Sequence, residues 1–66
     1  MSIENQHTIK ELRAKKNKTQ VEVASDLGIS VQTYNAWENN FGMVKLSKAK
    51  AIANYFDVSL SEIFFD

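Results

Sequence analysis

Apolar residues recur along this chain at helical spacing in five short clusters. Ile9 and Leu12 share one face, then Val23, Ala24 and Leu27, then Tyr34 and Trp37. Ala49, Ile52, Ala53 and Phe56 form a fourth stripe, and Leu60, Ile63 and Phe64 a fifth. Separations of three and four residues bring side chains to the same side of an α-helix. No segment alternates with period two for long enough to make a strand. The pattern predicts an all-α fold of five short helices.

Helix boundaries must be read from caps, because proline is absent and the only glycines are Gly28 and Gly42. Thr8-Ile9-Lys10-Glu11 fits a capping box, in which the hydroxyl accepts from the backbone N–H three residues on and the carboxylate reaches back. Thr19-Gln20-Val21-Glu22 and Ser59-Leu60-Ser61-Glu62 have the same form. Ser30 before Val31 and Ser47 before Lys48 are expected as plain N-caps. Asn5 offers an alternative start for the first helix one turn upstream. The domain therefore spans residues 8–66, with residues 1–7 as an arm or as the beginning of the first helix.

A chain of 66 residues holds one domain, and at this size only about 60% of the unfolded surface is hidden on folding. Cysteine is absent and His7 is the only histidine, so no disulfide and no metal site is expected to support the core. No apolar run approaches the roughly 20 residues needed to span a bilayer. The start MSIENQH lacks the basic and apolar regions of a secretory signal, and a cytoplasmic location is expected. Nor does any nucleophile–base pair, metal cluster or phosphate loop point to an enzyme, a cofactor or a small-molecule ligand.

Charge is balanced in total and uneven in distribution. Eight Lys and Arg offset eight Asp and Glu. Lys10, Arg13, Lys15, Lys16 and Lys18 crowd the first part, residues 19–44 carry only acidic charge, and Lys45, Lys48 and Lys50 follow.

The segment Leu27-Gly28-Ile29-Ser30 lies between the second and third stripes. Gly28 can take the left-handed conformation that ends a helix, Ile29 is an apolar plug, and Ser30 begins the next helix. Two helices joined by such a short turn make a helix-turn-helix, here at about residues 20–39. At 100° per residue, Tyr34, Trp37 and Glu38 of the third helix face one way, and Gln32, Asn35, Ala36 and Asn39 the other. That outer face is uncharged, where a merely solvated face usually carries Lys and Glu. Amides can pair bidentately with adenine, and a methyl can meet a thymine methyl. Arg13 sits on the inner face of the first helix, where an unpaired charge is costly. Glu38 is its expected partner.

From Ile9 to Phe64 the chain resembles the phage repressor and Cro superfamily of helix-turn-helix domains, the Xre family. The resemblance rests on Ile9-Lys10-Glu11-Leu12-Arg13, Thr19-Gln20, Val23-Ala24, Leu27-Gly28-Ile29-Ser30, Trp37-Glu38, and Ala53 with Phe56 to Ser59. Asn17, Asn40 and Asp57 stand where the family commonly has glycine, and Asn and Asp best tolerate the left-handed region. Val44 replaces a common proline, Lys18 a usual apolar residue, and Tyr34 a usual Ile or Val. The resemblance implies a compact five-helix DNA-binding domain in which Val31, Gln32, Thr33, Asn35 and Ala36 face base edges. It further implies that Thr19, Gln20, Asn40, Lys45 and Lys48 hold phosphates, with Gln20 also bracing the first base contact.

The expected function is that of a transcriptional regulator, a repressor of phage, prophage or mobile-element type, bound as a homodimer to a double-stranded DNA operator. Half-sites would then lie about one DNA turn apart. Phe64 and Phe65 are the expected dimer contacts, because one face of a short fifth helix cannot bury Ile63, Phe64 and Phe65 together. The alternatives are an antitoxin-type autorepressor, and a protein-interaction module that kept the fold without DNA binding.

Overall fold

Local cap chemistry sets most of the helix starts. The computed structural model describes residues 6–63, which comprise α1 (Ile9–Lys15), α2 (Gln20–Leu27), α3 (Val31–Asn39) and α4 (Leu46–Tyr55), with 3-10 turns at Phe41–Met43 and Leu60–Glu62. Thr8 caps α1, its hydroxyl accepting from the Glu11 N–H at 3.1 Å while its own N–H donates to the Glu11 carboxylate at 2.8 Å. Thr19 and Glu22 repeat this box at the start of α2 with the same two distances. Ser30 caps α3 by accepting from the Thr33 N–H at 3.1 Å. Asn5, the alternative cap for α1, lies outside the described residues.

Three chain reversals share one backbone motif. After α2, Gly28 adopts φ +74°; its N–H donates to Ser25 O at 3.1 Å, and the Ile29 N–H to Ala24 O at 3.0 Å. These paired bonds satisfy carbonyls that the helix end would otherwise leave open. Asn17 (φ 58°) and Asp57 (φ 62°) do the same after α1 and α4, with Lys18 N–H to Arg13 O and Val58 N–H to Ala53 O as the bonds that span five residues.

Asn40 departs from the expectation. Its φ of −154° is extended rather than left-handed. The reversal falls instead to the 3-10 turn, closed by the Val44 N–H on Phe41 O at 3.0 Å, and this carries Phe41 and Val44 into the core. Ser47 is likewise not the cap of α4. The Ala49 N–H reaches Lys45 O at 2.8 Å, so the helix's hydrogen bonding already spans Ser47. Lys45 is the N-cap and supplies no side-chain bond.

The fifth apolar stripe forms a single 3-10 turn among the described residues. Ser59 and Glu62 box its start, the Ser59 N–H donating to the Glu62 carboxylate at 2.8 Å. The chain is then extended at Ile63, which forms an isolated parallel bridge with His7. The His7 N–H donates to Glu62 O at 2.8 Å, holding the two ends of the described chain side by side. All the helices contribute to one core: Ile9 and Leu12 from α1, Val23 and Ala24 from α2, Tyr34 from α3, and Ala49, Ile52 and Ala53 from α4. Phe41, Val44, Phe56 and Ile63 close it. Leu27, Ile29 and Trp37 pack against this core and seat α2 and α3 as a unit.

Candidate nucleic-acid interface

The inward side of α3 is anchored by a charged pair. The Arg13 Nε donates to Glu38 Oε2 at 2.6 Å and Nη2 to Oε1 at 3.4 Å, a forked contact that joins α1 to the last turn of α3. The remaining arm, Nη1, donates to Lys18 O at 3.0 Å. The Glu38 side chain is only 3% exposed and that of Arg13 18%. Burial by itself raises the Glu38 pKa. Hydrogen bonding by Arg13 and the Gln20 amide, with the Tyr34 hydroxyl nearby, outweighs it and holds the carboxyl below its ordinary value. Tyr34 is completely buried, and its hydroxyl completes no hydrogen bond of good length and angle. Burial first, and then the adjacent carboxylate, push that phenol far above its usual range.

Gln20, the first residue of α2, links this pair to the outer face of α3. Its Nε2 donates to Glu38 Oε1 at 2.9 Å and to Asn35 Oδ1 at 2.9 Å. Both amide hydrogens are thereby engaged, leaving the side chain only its Oε1 acceptor. The resemblance implies that Gln20 braces a base contact, but its partners, 15 and 18 positions away, do not follow from the sequence. The matching polar types at Gln20, Asn35 and Glu38 were the available signal, but only the angle between α2 and α3 brings them together.

The other expected contact residues divide by burial. Gln32, Thr33 and Asn35 are exposed, whereas Val31 and Ala36 are half-buried and Val31 packs on the core. The Thr33 hydroxyl accepts from the Ser30 hydroxyl at 3.0 Å. No Lys or Arg occurs on α3. Thr19, Asn40, Lys45 and Lys48 are exposed and Gln20 is half-buried. Lys48 lines a shallow groove with Leu27, Ile29, Trp37, Ala51 and Ile52, which places the start of α4 beside the helix-turn-helix. Phe64 and Phe65, the expected dimer contacts, lie outside the described residues.

A second polar cluster, unforeseen in the sequence, clasps the opposite end of α2. Asp26 Oδ2 accepts from the Tyr55 hydroxyl at 2.6 Å and from Lys18 Nζ at 3.1 Å. The Tyr55 bond first, and then Lys18, lower the Asp26 pKa. Lys16 lies over the Tyr55 ring, 5.2 Å from its centroid. Lys18, where an apolar residue is usual, is thus bound at the surface through both its ammonium and its carbonyl.

Two helices joined by a left-handed glycine, the second presenting an uncharged polar face, define a helix-turn-helix domain. A family model described as Helix-turn-helix matches residues 9–63, and the chain belongs to this DNA-binding family, in its Xre/Cro-like form. No curated protein and no solved structure matches the chain. Among the described residues no helix is long and apolar enough to cross a membrane, and no group of His, Cys, Asp or Glu could hold a metal ion.

Proposed function

We propose that this domain is a sequence-specific transcriptional regulator, a repressor of phage, prophage or mobile-element type acting in the cytoplasm, which lays α3 in the major groove of an operator. The observation that carries this reading is the exposed, uncharged amide face of α3, held out from the core by the part-buried Arg13–Glu38 pair. Gln32, Thr33 and Asn35 meet base edges, with Val31 and Ala36 giving apolar contact at the rim of the same face. Phosphates are held by Thr19 and the free backbone N–H groups of Gln20 and Val21 at the start of α2. On the other side they are held by Asn40, Lys45 and Lys48. These contacts set register, while α3 reads sequence. Two copies bind a near-palindromic site, with Phe64 and Phe65 near the contact between them.

The balance of eight basic and eight acidic residues favours a second reading, a protein-interaction module without DNA binding. One experiment separates the two. Bound sites are selected from random duplex DNA, and affinities for the selected site and a scrambled site are compared for wild type and Gln32→Ala. Gln32→Ala is expected to cost about 1–3 kcal/mol on the selected site and to relax preference at one base pair. Equal losses on both DNAs would remove α3 as the reader, and absence of any selected site would favour the interaction module.

A further inference from the structure

The polar chain running from Arg13 through Glu38 and Gln20 to Asn35 has a directional consequence. A carboxylate can only accept, so the Gln20 amide must turn its NH2 toward Glu38 Oε1, 2.9 Å away. The second hydrogen of that NH2 points at Asn35 and requires an acceptor there. Asn35 is therefore obliged to turn its carbonyl inward, where Oδ1 lies 2.9 Å from Gln20 Nε2. Carboxamide orientation is normally ambiguous because oxygen and nitrogen are alike in shape. Here the Glu38 carboxylate decides the orientation of the two amides that follow it. Asn35 is exposed and shows no bond from its own NH2, which is left facing outward.

We infer that Gln20 is a positioning residue that makes Asn35 a donor-only reader, selecting a base edge built of acceptors, guanine, over adenine. Bidentate pairing with adenine needs one donor and one acceptor from the same amide, to meet N7 and the N6 amino group. The Asn35 carbonyl is turned toward Gln20, so it cannot stand beside the NH2 on the same base edge. An outward NH2 meets N7 and O6 of guanine without conflict, whereas the adenine amino group would oppose it donor to donor. Gln32 carries no such restraint and keeps both halves of its amide for adenine. The two exposed amides on α3 would then read different bases despite their like chemistry. This inference rests on α3 being the reading helix.

The test has two arms. Without DNA, side-chain amide NMR of the whole chain should show Gln20 NH2 hydrogens exchanging markedly more slowly than those of Gln32, with through-space contacts to Asn35. Equal exchange rates for Gln20 and Gln32 would overturn the inference and leave the reading by α3 standing. With DNA, sites are selected from random duplexes by wild type, Asn35→Ala and Gln20→Met. Wild type should enrich guanine over adenine by about tenfold at one position, and Asn35→Ala should make that position degenerate. In Gln20→Met the Asn35 amide is released to rotate, and adenine should rise there to within about twofold of guanine. A purely structural role for Gln20 would weaken all sites without changing the base preferred. Adenine at the Asn35-dependent position in wild type, an unchanged guanine preference in Gln20→Met, or an unchanged site in Asn35→Ala would each overturn the inference. Protected Gln20 hydrogens with no selected site for any protein would overturn base reading itself, and the inference with it.

Discussion

At Gly28 the backbone stands at φ +74°, and no heavy atom lies within 4 Å of where a Cβ would sit. The need for glycine is therefore conformational and owes nothing to crowding by neighbours. An L-residue in the left-handed region costs about 1–2 kcal/mol, with Asn and Asp least affected. Asn17 and Asp57 hold the same backbone conformation at φ 58° and 62°. Gly28→Ala is expected to lose about 1 kcal/mol of unfolding free energy, and Gly28→Asn clearly less. Urea denaturation of the two variants decides this; an Asn variant weaker than the Ala variant would show that something besides φ selects glycine.

Between elements, the tie from α1 to α3 depends on protonation. Glu38 has a folded-state pKa below its unfolded one, so its contribution is fully present above the ordinary carboxylate range and is lost as pH falls through the depressed value. Removing one partner of a buried pair leaves the other uncompensated, at a cost of about 3–5 kcal/mol. Arg13 retains some exposure, which places Glu38→Gln near the lower end, about 3 kcal/mol. Thermal or urea melts of wild type and Glu38→Gln should differ by a constant amount above about pH 5 and converge as pH falls. Asp26 and Glu62, held low by Tyr55 and Lys18 and by Ser59 respectively, leave a residual acid dependence in the variant. A variant melting within a degree or two of wild type at neutral pH would mean that the pair adds nothing. At this scale the sequence was most legible where the chemistry is local. Thr8, Thr19 and Ser30 act within three residues of themselves, and the starts of α1, α2 and α3 follow directly. Ser47 misled because the start of α4 is decided by burial of Phe41 and Val44 just before it, and Asn40 because the 3-10 turn took over its role. Among the described residues the fifth stripe makes a short 3-10 turn, and Ile63 after it pairs with His7, a partner far off in sequence. The exposed face of α3 could be read from periodicity, but the orientation of its amides could not, since Gln20 and Glu38 impose it from other parts of the chain.

For the whole molecule, the arrangement of charge matters more than its zero sum. Glu38 neutralises Arg13, and Asp26 neutralises Lys18, both within hydrogen-bonding distance. Lys16 rests on the Tyr55 ring. The cations near the start of α2 are thus largely committed within the protein. Lys45 and Lys48 are exposed and have no ion-pair partner among the described residues. They stand at the start of α4, whose first-turn N–H groups lack a side-chain cap, and both features favour a phosphate. Each phosphate neutralised on B-DNA releases counterions worth a slope of about −0.9 in log K against log salt. Lys45→Ala and Lys48→Ala should each reduce the magnitude of that slope by about 0.9, and each should weaken selected and scrambled DNA by the same factor. With basic and acidic residues in balance over the chain, nonspecific affinity should be poor at physiological salt, and base contacts should supply an unusually large share of the binding to a selected site. Titrations at several salt concentrations measure both quantities together. A lysine whose loss weakens only the selected site would be reading bases rather than holding phosphate, and one whose loss leaves the slope unchanged would not touch the DNA at all.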